Sequence, residues 1–120
     1  MKNAADTLNL CGSISMQKGM KSGEYSLLDA AEEYYKESLE IREGLLSRSD
    51  PDIGQVLTSM GAFYLAQGNL PEAEARYERA RRVYVEGLGP KHVRGAYPLI
   101  GLAQVEDKKP IAEKDFMMIT

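Results

Sequence analysis

Tryptophan is absent from the 120 residues, and cysteine and histidine each occur once, as Cys11 and His92. A single cysteine excludes an internal disulfide and a cysteine-based zinc site. A single histidine leaves no histidine-rich metal cluster. Positive charge is not in excess: 15 Lys and Arg stand against 18 Asp and Glu, a net charge of −3. Such a balance gives no general attraction for phosphate backbones and excludes nucleic-acid binding driven by counterion release. No apolar run approaches the ~20 residues of a membrane-spanning helix, so no membrane insertion is expected. Met1-Lys2-Asn3-Ala4-Ala5-Asp6 is not followed by the apolar core of a signal peptide, which makes the cytoplasm the expected compartment. Motifs of chemistry are missing as well. There is no glycine-rich phosphate loop with its Lys-Ser/Thr, no Gly-x-Ser-x-Gly, no His-Glu-x-x-His and no Cys-x-x-Cys. With no clustered nucleophile, base or metal ligand, no enzyme activity and no cofactor are expected.

What the chain does contain is an internal repeat. Ala31, Tyr35, Ser38 and Ile41 recur 42 residues later as Ala73, Tyr77, Ala80 and Val83. At the same offset Leu46 meets Leu88, Leu57 meets Leu99 and Met60 meets Leu102. Spacings of three and four place such residues on one face of a helix, and strand signals are weak throughout. Asp50-Pro51 caps and starts a helix that Gly68-Asn69 stops, with Val56, Leu57, Met60, Phe63 and Tyr64 inward. Pro71 starts the next, ended by Gly87-Leu88-Gly89-Pro90. An earlier helix runs from about residue 26 or 28 to 46. The first covers residues 4–17, with Leu8, Cys11 and Gly12 inward, and residues 18–24 read as a flexible loop. A last full helix lies between residues 93 and 108. Pro98 removes a backbone bond and clashes with the preceding turn, which predicts a late start near Ala96 or Tyr97. Pro110, Ala112 and Phe116 copy Pro71, Ala73 and Tyr77, the start of one further helix that docks on the last and leaves an apolar end.

The acidic residues Glu32, Glu33, Glu37, Glu40 and Glu43, with Lys36 and Arg42 between them, read as a solvated helix face rather than a metal or acid–base site. At offset 42, Glu37 maps to Arg79 and Glu40 to Arg82, so opposite charges are expected to meet across stacked helices. His92 reads as a loop or capping residue and Cys11 as an inert core thiol.

Leu57-x-x-Met60-Gly61-x-x-Tyr64 followed by Ala73-x-x-x-Tyr77 and Ala80 resembles the tetratricopeptide repeat. The joining segments, Ser38 to Glu43 with Leu46 and Asp50-Pro51-Asp52-Ile53, and then Leu88-Gly89-Pro90-Lys91-His92, are similar to those of the kinesin light chain and nephrocystin families. The resemblance implies an all-α fold, an α-solenoid of antiparallel helix pairs with about two and a half repeats in a single domain: repeat 1 at about 4–47, repeat 2 at about 51–88 and a partial repeat 3 at about 93–120. It implies a non-enzymatic module that binds a protein or peptide partner in the concave groove of the stacked pairs. The groove residues it points to are Asn9, Ser13, Gln55, Thr58, Ala62, Leu65, Tyr97, Ile100 and Gln104. The lining carries little charge and suits an extended or short helical peptide with apolar anchors. The alternative is a structural fragment of a longer array, acting through self-association at its C-terminal end or by docking to a partner subunit.

Overall fold

A computed structural model describes the backbone of residues 2–111 and the side chains of residues 4–111. Among these residues the chain forms five α-helices and no strand: α1 (Lys2–Ser22), α2 (Tyr25–Leu45), α3 (Pro51–Ala66), α4 (Leu70–Leu88) and α5 (Ala96–Lys108), the last preceded by a 3-10 turn at Val93–Gly95. The slab measures 48 × 38 × 19 Å, two helix layers thick. Residues 112–120, with the expected further helix, its Ala112 and Phe116 contacts and the expected self-associating end, lie outside the described residues.

Local chemistry sets the helix ends. Asp50 accepts the Asp52 N–H at 2.9 Å, with Pro51 in the first turn of α3. Asn69 accepts the Glu72 N–H at 3.4 Å at the start of α4. His92 caps the 3-10 turn, its Nδ1 accepting the Arg94 N–H at 3.1 Å. α5 then begins at Ala96, with Pro98 in its first turn, where a missing N–H costs nothing.

α1 departs from expectation. The helix does not end near residue 17, and residues 18–22 are not a loop but its continuation. Gly19 lies so close to α2 that a Cβ there would stand 2.9 Å from the Leu28 side chain, so the added turns are packed rather than free. The helix ends instead before Gly23, which takes φ +74°, as Gly68 (φ +79°) does after α3. The inward stripe of α1 is Ala5, Gly12 and Gly19, spaced by seven; Leu8 and Cys11 are only half-buried.

Tyrosines of one helix seated on glycines of another hold the pairs together. Tyr35 of α2 lies on Gly12, Tyr84 of α4 on Gly54, and Tyr77 of α4 between Gly61 of α3 and Gly101 of α5. A Cβ at Gly61 would stand 2.7 Å from the Tyr77 ring. The contacts 19 to 28, 12 to 35 and 5 to 38, the last a hydrogen bond of 2.8 Å from Ser38 Oγ to the Ala5 carbonyl, make α1 and α2 antiparallel. Phe63 joins the repeats, its ring edge-on to Tyr35 at 5.7 Å and to Tyr64 at 5.2 Å. A second cluster, Ile53, Leu57, Ala80 and Val83, is covered by Leu39 and Leu46.

The charged rows meet, but in another register. Arg79 pairs with Glu43 at 2.6 Å, not with Glu37, and no pair joins Glu40 to Arg82 among the described residues. Residues related by the repeat point the same way and so cannot face each other; the contact runs from one edge of α2 to the opposite edge of α4. Arg76 lies over the Tyr64 ring at 5.6 Å, and the Tyr64 hydroxyl donates to Glu32 at 2.9 Å. Lys109 pairs with both Glu74 and Glu106 at 3.1 Å, tying the end of α5 to α4.

Burial pushes the phenols of Tyr35, Tyr64, Tyr77 and Tyr84 above the ordinary value of 10.0; for Tyr64, where the Glu32 hydrogen bond and charge add to burial, the value reaches about 12. An acid that holds its proton more tightly when folded stabilises the fold below the unfolded value and loses that contribution as pH rises through the folded one. Helical circular dichroism is therefore expected to fall steeply as pH climbs from 10 toward 12, in step with tyrosinate absorbance at these buried sites. A helical signal unchanged across that range would contradict it.

Candidate protein-binding groove

An open cleft of about 760 Å3 runs across α1, α3 and α5, the A-type helices, which open successive repeats. Asp6, Asn9, Leu10 and Ser13 line it from α1, Asp52, Gln55, Thr58 and Ser59 from α3, and Arg94 and Tyr97 from the 3-10 turn and α5. Two residues of the outer layer reach through to it, Arg42 of α2 and Tyr84 of α4.

Arg42 is 2% exposed. One guanidinium nitrogen donates to the Asp52 carbonyl at 2.8 Å and the other to Asp6 Oδ1 at 2.5 Å, so a single side chain ties α1, α2 and the first turn of α3. Its Nε, and Asn9 Oδ1, are buried without a hydrogen-bond partner among the described residues. Tyr84, 4% exposed, seats on Gly54 and lies beside Thr58, whose hydroxyl donates to the Gly54 carbonyl at 2.8 Å. Burial pushes the Tyr84 phenol up, while hydrogen bonding to Thr58 and the Arg94 charge oppose that. On the α1 side the Ser13 and Tyr35 hydroxyls lie 3.0 Å apart. The cleft thus has a largely hydrogen-bonded polar floor and an aromatic side chain, Tyr97, 59% exposed at its rim.

Of the groove residues expected from the sequence, the fold brings Asn9, Ser13, Gln55, Thr58 and Tyr97 into this one cleft. Ala62, Ile100 and Gln104 are exposed but lie outside its lining. Leu65 is a correction. It is 8% exposed and belongs to the core cluster with Met60, Phe63 and Tyr64, against which Met16 of the lengthened α1 also packs.

Arg42 and Tyr84 were not among the expected groove residues, although a signal was present. Ala31, Tyr35, Ser38 and Arg42 keep the spacing of one buried stripe, and Ala73, Tyr77, Ala80 and Tyr84 repeat it 42 residues on. A charge on that stripe marks a residue whose head group must find partners inside.

Tetratricopeptide-repeat profiles match residues 27–52, covering α2 and the segment after it, and residues 52–109, covering α3, α4 and α5. The chain is a tetratricopeptide repeat protein. No curated protein matches it. Tetratricopeptide repeats generally mediate protein–protein interaction, and the tetratricopeptide layout explains why the three A-type helices share one surface. No described helix of the repeat array is long and apolar enough to cross a membrane.

Proposed function

We propose that this tetratricopeptide repeat protein is a non-enzymatic module of the kinesin light chain and nephrocystin repeat type, working in the cytoplasm as a single domain of two repeats and a partial third. Its partner is a peptide segment of another protein, held in the α1–α3–α5 cleft. The observation that carries this reading is the cleft itself: three successive A-type helices contribute to one open surface, and the exposed Tyr97 ring stands over a polar floor. Asn9, Ser13, Gln55 and Thr58 offer hydrogen bonds to a peptide backbone, while Tyr97 and Leu10 (60% exposed) offer apolar contact. The 42-residue period and the loop residues Asp50-Pro51-Asp52 and Gly89-Pro90-Lys91-His92 support the repeat type.

Selection from a displayed peptide library, followed by calorimetry, tests the proposal. Thr58→Arg and Tyr97→Ala are each expected to weaken a selected peptide by about tenfold, ~1.4 kcal/mol, with helix content unchanged. Equal binding by both variants would move the interaction away from the cleft, to the outer face of α2 and α4 with Arg79 and Arg82.

A second reading has the chain act by self-association or by docking to a partner subunit through its C-terminal end. Val93, Leu99 and Ile100 are 73%, 48% and 55% exposed there, an apolar surface that favours burial. Light scattering over a concentration series separates the two, since the groove reading needs no growth in mass.

A further inference from the structure

Ile41 and Val83 hold the same place in successive repeats. Val83 is 6% exposed because Leu39 and Leu46 of the preceding repeat cover it. Ile41 is only half-buried among the described residues. With Glu37, Glu40, Gly44 and Leu45 it lines an open cleft of about 390 Å3 on α2, and Leu45 is 50% exposed. This edge of α2 is the counterpart of the edge that α4 turns toward α2, where Arg79, Ala80 and Val83 lie. The corresponding edge of α4 accepts, from α2, Leu39, Glu43 and Leu46, spaced i, i+4 and i+7.

One feature of the α2 edge is inverted. Where α4 presents Arg79 and Arg82, α2 presents Glu37 and Glu40, and neither glutamate has an ion-pair partner among the described residues. An occupant built like α2 itself would bring its Glu43-like carboxylate against Glu37. A cation at that position turns the repulsion into a pair of the kind Arg79 makes with Glu43 at 2.6 Å. Such a half-exposed pair adds little to affinity but sets preference, while the two aliphatic residues bury against Ile41, Gly44 and Leu45.

We propose that the α2 cleft docks an amphipathic helix of a partner protein, with aliphatic residues at i and i+7 and a Lys or Arg at i+4. This surface lies apart from the α1–α3–α5 groove and does not depend on what binds there.

The probe is a helix-stapled, fluorescently labelled peptide copying residues 34–48, made with Glu43 and with Glu43→Arg, and titrated by anisotropy against the full chain. The arginine peptide is expected to bind about tenfold more tightly, and Glu37→Arg in the protein to reverse that order. Glu37 is exposed and makes no ion pair among the described residues, so this variant folds as the parent does, which circular dichroism checks. Raising the salt concentration is expected to shrink the difference between the peptides while leaving residual binding of both. Ile41→Asp is expected to weaken both peptides. Equal affinities, no binding of either peptide, or an order untouched by Glu37→Arg would each overturn the proposal.

Discussion

Tyr77→Ala is expected to cost about 3–5 kcal/mol, the range for removing a large buried aromatic ring. Tyr77 is 3% exposed and sits between Gly61 and Gly101, neither of which has a side chain to move into the space left behind. Backbone segments of two helices would have to close by themselves, and helices do not collapse across a ring's width. For a domain of ordinary stability, about 5–15 kcal/mol, the loss takes much or all of the margin. Thermal and urea denaturation followed by circular dichroism give the measurement, and a midpoint near that of the parent chain would contradict the packing described for α3, α4 and α5.

The second large effect is an asymmetry within one ion pair. Asp6→Ala is expected to destabilise by about 3 kcal/mol, because it leaves a buried guanidinium without its counter-charge. Arg42→Met is expected to cost clearly less. Methionine fills similar space, no charge stays behind in the interior, and the abandoned Asp6 side chain is 53% exposed and finds water. The larger loss therefore falls on the change at the more exposed residue, the reverse of what burial alone suggests. Urea denaturation of the two single variants decides it; equal losses, or a larger loss for Arg42→Met, would show that the pair is not what holds Arg42 in place.

Much of this was legible from residue spacing. The helices follow from apolar residues at three- and four-residue intervals, from Asp50-Pro51 and Pro71 as starts, and from the late start that Pro98 imposes on α5. Five residues that the resemblance assigns to the groove, Asn9, Ser13, Gln55, Thr58 and Tyr97, line the α1–α3–α5 cleft. Three things were not legible in this way. Residues 18–24 read as a loop, and only the packing of Gly19 against Leu28 decides that the helix runs past Gly19 and ends before Gly23. Leu65, which the resemblance assigns to the groove, is held in the core instead, with Met16 of α1 packed against the same cluster. Arg42 belongs to the buried stripe by spacing and to the surface by chemistry. Its place depends on Asp6 and the Asp52 carbonyl, which lie on two other helices.

The seat of Tyr77 has a consequence for how the array comes apart. Its ring is a wall common to two units: one side closes the second helix pair at Gly61, the other meets the helix that opens the next unit at Gly101. α5 cannot peel off without uncovering that ring, so fraying from the C-terminal side carries part of the cost of melting the middle of the chain. Tyr35 closes only its own pair, at Gly12, and reaches the second repeat by ring-edge contact with Phe63. In a one-dimensional chain of units, where neighbour terms decide whether units melt singly or together, the shared Tyr77 ring couples the second repeat to the third.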